Sequence, residues 1–175
     1  MSHLLVDGYN LLYLMDPAII RTLEQRRNKL LEKLRLYQEQ KGVDLTIVFD
    51  GAQAPGPLGI ERSREGNVTV IFSHEGETAD QWIADECRKN PGQYVVVSSD
   101  NEVIFAAERN QCVSVSSHEF LKRLTQALEW RSDPDYFSEK DDSGPLYPKV
   151  STRKKGVAKR PSKRERRKLT RLKNL

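Results

Sequence analysis

The sequence predicts an α/β fold with a mainly parallel central sheet, and two observations carry that reading. Short apolar runs at 4–7, 44–50, 68–73 and 94–100 alternate with longer stretches in which apolar residues recur at helical spacing. Leu4 to Val6 and Tyr94 to Val97 are apolar at consecutive positions rather than alternate ones, as in strands covered on both faces. Alternation of this kind builds a layered α/β domain.

Taken in order, His3 to Asp7 reads as a strand interrupted by DGYN, where Gly8 is expected to permit a tight turn. Leu23 to Tyr37 repeats Leu among Arg, Lys and Glu and predicts an amphipathic helix. DLTIVFD is a second strand ending in Asp50, and the following GAQAPGPLGIERSREGN predicts irregular chain until Asn67 because of its Gly and Pro. VTVIFS, the helix TADQWIADECRKN, the strand YVVV, a helix through Ala106, the run CVSVSS and the helix HEFLKRLTQALEW complete the series. Thr78 with Gln81, and Ser116 with Glu119, have the spacing in which side chains at a helix start satisfy free amides reciprocally.

Beyond Trp130 the periodicity fails. The sequence divides into a domain over 1–130, a linker or surface wrap over 131–148, and a basic tail over 149–175 that holds a short helix from Ser162, with Glu165 at capping distance. Residues 146–175 contain 13 of the 29 Lys and Arg but one of the 25 acids, so they carry +12 and the rest of the chain −8. A block of one sign suits phosphate binding with counterion release, which makes a nucleic acid the expected partner. No apolar run reaches the roughly 18 to 20 residues that a bilayer crossing needs, and no secretory leader is recognisable, so no membrane partner is expected. Cys87 and Cys112 have no metal-ligand spacing and read as thiols of a reducing cytoplasm.

The acidic body carries its charge in telling places. Asp7, Asp50 and Asp100 each end a strand run, and the ends of parallel strands share the edge where α/β folds place ligands. Asp80 lies in the first turn of a helix that opens at the same edge. Carboxylates that converge repel one another unless a cation intervenes, and a hard ion such as Mg²⁺ or Mn²⁺ prefers oxygen ligands. With a phosphodiester bound, such a site performs metal-assisted hydrolysis. Each acid also has a plainer use: Asp50 before Gly51 as a turn former, Asp100 before Asn101 as a helix cap, and Asp80 as a charge favouring a helix dipole.

DGYNLL at 7–12, VFDG at 48–51, ETADQWI at 77–83 and VVVSSD at 95–100, in that order, resemble the YacP-like branch of the NYN domain family, relatives of the PIN-domain ribonucleases. The resemblance covers 3–130 and leaves the tail outside. It implies a PIN-like three-layer α/β/α sandwich and a Mg²⁺- or Mn²⁺-dependent endoribonuclease with no organic cofactor. It implies that Asp7, Asp80 and Asp100 bind metal and that Asn10 orients water or substrate; Asp50 matches the family's second-strand acid, and we assign it to the outer shell. Glu77 either assists or favours the helix dipole. Relatives in the wider PIN group often use a further acid in an early helix, but Glu24, Glu32 and Glu39 are spaced as solvated positions.

Cationic groups must offset the acidic site if RNA is to approach. Arg62 and Arg64 in the long loop are one source, and Arg153, Lys154, Lys155, Lys159, Arg160, Lys163, Arg164, Arg166 and Arg167 in the tail are the other. Tyr9, Tyr136, Phe137 and Tyr147 are candidates for base stacking, whereas Trp82 fits a core position. His3, His74 and His118 show no pairing and receive no role. A phosphatase with an aspartyl nucleophile is disfavoured because Tyr9 stands where its second acid belongs. A catalytically inactive adaptor that binds RNA or the ribosome through the tail remains the alternative.

Overall fold

The structure, a computed structural model, describes residues 3–17, 21–51, 62–65, 68–74, 76–132 and 170. Strand β1 (His3–Asp7) lies at its centre, paired in parallel with β2 (Asp44–Phe49) on one side and β5 (Tyr94–Val97) on the other. Strand β4 (Val68–Phe72) extends the sheet beyond β2 and is followed by the edge strand β3 (Arg62–Glu65), β6 (Val113–Val115) extends it beyond β5, and the order is β3-β4-β2-β1-β5-β6.

Successive side chains of a strand face opposite ways, and the core obeys that rule. Leu4, Val6, Ile47, Phe49, Val95 and Val97 pack with residues of α1 (Gly8–Met15), α2 (Leu23–Lys41) and α5 (Ser117–Ser132), among them Leu12, Leu34 and Phe120. Leu5, Val48, Ile71 and Val96 face the other way, onto Ile83 and Cys87 of α3 (Ala79–Lys89) and Val103 and Ala107 of α4 (Asn101–Arg109). The expected three-layer α/β/α sandwich with a mainly parallel sheet is therefore the architecture. Burying both sheet faces is why these strands are continuously apolar.

Local chemistry marks the helix ends. Thr22 with Gln25 and Thr78 with Gln81 form complete capping boxes on α2 and α3. Helix α2 runs past Tyr37 to Lys41 and stops at Gly42, which takes the left-handed conformation at φ 62°. At the start of α5 the Glu119 amide donates to Ser116 Oγ at 3.2 Å. Glu24, Glu32 and Glu39 are exposed along α2, as solvated positions should be. Both cysteines are buried and free, and the hydrogen bond to Cys112, with burial, pushes the Cys87 thiol up, as befits an inert core group.

Two local expectations are corrected. The stretch before Asn67 is not irregular throughout: Arg62–Glu65 forms β3, antiparallel to β4 at the sheet edge, with Glu65 opposite Val68. Backbone pairing to β4 overrides a sequence poor in strand formers. Arg62 and Arg64 thus belong to a strand and not to a loop. The second correction concerns Gly8, which opens helix α1 rather than a tight turn. Its requirement is space, since a Cβ there would stand 2.4 Å from the Phe49 ring and 2.7 Å from the Val48 carbonyl oxygen. The linker, the tail with its expected helix from Ser162, and the aromatic candidates Tyr136, Phe137 and Tyr147 lie outside the described residues.

Gly8→Ala should accordingly cost on the order of 1–3 kcal/mol of stability by overpacking, read as a lower urea midpoint. An unchanged midpoint would contradict the close approach of α1 to β2.

Candidate active site

The C-terminal ends of β1 and β5 are neighbours, and one buried serine joins their acids. Asp7 closes β1, caps α1 by accepting from the Asn10 amide at 3.1 Å through Oδ1, and accepts from Ser98 Oγ at 2.9 Å through Oδ2. Ser98, fully buried just beyond β5, accepts from the Asp100 amide at 3.0 Å. Asp100 in turn caps α4, its Oδ1 accepting from the amides of Glu102 at 2.7 Å and Val103 at 3.4 Å.

The ends of β2 and β4 supply the opposite wall. Asp50 Oδ1 accepts from the Ala79 amide at 2.6 Å and so braces the first turn of α3, which carries Asp80. Buried Ser73 ties this wall together, accepting from the Gly51 amide at 3.1 Å and donating to the Glu77 carbonyl at 2.7 Å. Glu77 precedes the Thr78 cap, so it is no first-turn acid; its carboxylate accepts from the His74 amide at 3.4 Å.

The two walls feel each other electrostatically. Burial is the main force that raises the Asp7 carboxyl, pushed up to about 6, with the charges of Asp80 and Asp50 adding to it. The hydrogen bonds from Asn10 and Ser98 act the other way. Asp80 is also raised, first by burial and then by Asp100, Asp50 and Glu102. The four expected acids therefore converge, with Asp80 in electrostatic contact with the other three. Among the described residues no three His, Cys, Asp or Glu side chains form a ready-made metal cage. The donor set is nonetheless all carboxylate oxygen under mutual repulsion, which fits a hard divalent ion that retains part of its water.

Asn10, one turn into α1, spans the site: its Oδ1 accepts from the Ser99 amide at 3.1 Å and from Ser117 Oγ at 2.6 Å. Tyr9 is a packing residue and no base-stacking platform, being buried edge-on against Phe49 with its hydroxyl accepting from Arg27 at 3.0 Å. Trp82 packs against the α3 side of the core, as its helical position implied. His3 lies at the far end of β1 and contacts Thr46. Arg62 pairs with Ile71 near the site end of β4, and Arg64 with Thr69 nearer the other end. The tail cations, Arg153 to Arg167, are outside the described residues. Ser98, Ser99 and Ser117, which hydrogen-bond Asp7, Asn10 or Asp100, and Glu102, whose charge acts on Asp80, are not among the residues the sequence singles out, although the two serines preceding Asp100 stand within the VVVSSD motif.

Comparison with known proteins decides the family. The model of the YacP-like NYN domain matches residues 4–174. This chain belongs to the YacP-like NYN domain family. The match reaches through the basic tail, which corrects the expectation that the resemblance ends near residue 130. "Uncharacterized protein YacP" of Bacillus subtilis (strain 168) is 30% identical over 131 residues, spanning 71% of this chain and 75% of that protein. The solved structure of Rae1 (YacP) from Bacillus subtilis superposes with a TM-score of 0.61 at 28% identity, over 75% of this chain and 78% of that one. A tryptophan-to-leucine variant of it gives 0.63 at 26%, over 75% and 80%. The YacP-like architecture seen here is a PIN-like nuclease fold.

The raised Asp7 has a definite sign for stability. Its folded pKa of about 6 exceeds the ordinary 3.8, so folding is progressively disfavoured as pH rises from about 4 to about 6, and the penalty persists above. Asp7→Asn keeps a carbonyl to cap α1 and removes the buried charge. It should raise stability at pH 7.5 by on the order of 2 kcal/mol and abolish that slope in urea unfolding across pH 4–7. A variant no more stable than the parent would contradict the account.

Proposed function

We propose that this YacP-like NYN domain is a divalent-metal-dependent endoribonuclease. The single observation that carries the reading is the convergence of Asp7, Asp50, Asp80 and Asp100, from four separate segments, at the sheet edge, with Asp7 and Asp80 both raised by burial and by neighbouring acids. The family's nuclease fold supports it.

In this reading Asp7, Asp80 and Asp100 hold Mg²⁺ or Mn²⁺, which when bound supplies Lewis-acid activation of water and offsets charge on the phosphodiester. Ser98 keeps Asp7 in register with Asp100 by bonding to both. Asp50 acts from the outer shell by holding the α3 terminus, and with it Asp80, in place. Asn10 orients a reacting group. Glu102, whose charge reaches Asp80, adds to the pull on a cation. No organic cofactor enters this scheme.

Substrate capture falls to cations away from the acids. Arg62, Arg64 and the tail residues Arg153, Lys154, Lys155, Lys159, Arg160, Lys163, Arg164, Arg166 and Arg167 are assigned to RNA, with the tail suited also to ribosomal RNA. The buried free thiols Cys87 and Cys112 support a cytoplasmic setting, and among the described residues no helix is long and apolar enough to cross a membrane. The adaptor alternative lacks a reason for burying a carboxylate among like charges. Nothing in RNA binding alone requires that cost.

Purified protein should cleave single-stranded RNA with Mg²⁺ or Mn²⁺, and EDTA should stop it. Asp80→Asn should reduce cleavage by at least about 10²-fold while RNA binding, measured by fluorescence anisotropy, persists. Removal of residues 149–175 should weaken that binding and flatten its salt dependence. Cleavage by Asp80→Asn at the parental rate would move the chemistry to another site, and RNA binding without cleavage by the parental protein would favour the adaptor.

A further inference from the structure

Helix α5 begins 107 positions after Asn10 in the chain, yet its first residue grips the Asn10 side chain. Ser117 is fully buried and its hydroxyl donates to Asn10 Oδ1 at 2.6 Å. The Ser99 amide donates to the same oxygen at 3.1 Å, and the Ser117 amide donates back to Ser99 Oγ at 3.1 Å. Three segments, the start of α1, the chain beyond β5 and the start of α5, thus close a ring of hydrogen bonds beside Asp7 and Asp100.

That ring fixes the chemical polarity of Asn10. An amide side chain has one accepting end and one donating end of nearly equal shape. A backbone N–H only donates, so the atom it meets from Ser99 is the carbonyl oxygen. With both lone pairs of Oδ1 engaged, Asn10 is spent as an acceptor. Its Nδ2 has two N–H donors and no partner among the described residues. An amide in this state is a poor metal ligand and a poor acceptor for water. It is a fixed donor at a site otherwise made of acceptors.

We propose that Ser117 is a positioning residue that, together with the Ser99 amide, locks Asn10 as a hydrogen-bond donor to a non-bridging phosphate oxygen of the RNA. The proposal rests on the endoribonuclease reading and deepens it. A phosphodiester entering a cluster of carboxylates meets repulsion, and a neutral donor held in a preset orientation offsets charge that develops on its oxygen without reorganising. Because Ser117 acts only through Asn10, the two residues form one device.

The test is a double-mutant cycle on RNA cleavage with Mn²⁺. Asn10→Ala should lower kcat by about 10²-fold, the order seen when a charge-stabilising donor is removed. Asn10→Asp accepts from Ser99 and Ser117 as the amide does but cannot donate, and its kcat should be no better than that of Asn10→Ala. Ser117→Ala should lower kcat severalfold in the parent and not at all in the Asn10→Ala background, with Ser117→Thr restoring activity towards that of the parent. Equal losses in both backgrounds would make Ser117 a mere part of the α5 start and overturn the proposal, as would parental kcat in Asn10→Asp.

A second measurement does not use turnover. In the Asp80→Asn protein, a short single-stranded RNA should shift the Asn10 side-chain NH₂ signals in a ¹⁵N correlation spectrum. RNA bound, by anisotropy, with those signals unmoved would overturn the donor assignment alone. Absence of both cleavage and binding in the parental protein would remove the endoribonuclease reading and the proposal together.

Discussion

Ser98 holds two acids with one hydroxyl. It donates to Asp7 and accepts from the Asp100 amide, so the ends of β1 and β5 cannot shift independently. Strand order makes this contact available, because β1 and β5 are parallel neighbours that finish at the same edge. Fully buried, the hydroxyl has no water to compete with. The other wall depends on it in turn, since Asp80 lies within electrostatic reach of both Asp7 and Asp100.

The acids do two kinds of work. Asp7 and Asp100 are helix caps, and Asp50 braces a helix that it does not belong to. Capping fixes each carboxylate rigidly at the point where a strand gives way to a helix, so the structural use prepares the chemical one. Ordinary caps are solvated, and their charge is cheap. Asp7 is buried, and its ionised form is disfavoured by burial and by two further acids. A fold that tolerates such a penalty at its central strand is spending stability on a charge, as functional sites do.

Much of this was legible in the residues. Continuous apolar runs announced strands buried on both faces, and their terminal Asp residues announced one charged edge, because parallel strands place like ends together. The edge strand β3 was not legible from composition: RSRE has neither apolar content nor β-branching, and its pairing comes from the backbone of β4. At position 8 the sequence suggests backbone freedom, whereas the constraint is the Phe49 ring, 41 residues away in sequence. Ser98 and Ser99 stand within the VVVSSD motif, but Ser117 carries no local signal. Its role exists only because α5 starts beside α1, and that adjacency is a property of the folded layers.

The central claim is that the carboxylates at this edge form the chain's preferred site for a divalent cation. Paramagnetic broadening by substoichiometric Mn²⁺ in ¹⁵N correlation spectra tests it most directly, since the ion erases signals only near where it binds. The account predicts that the amides of Asp7, Asp80 and Asp100 fade first, and that excess Mg²⁺ restores them. Broadening that begins elsewhere on the acidic body, with these three amides intact, would contradict it.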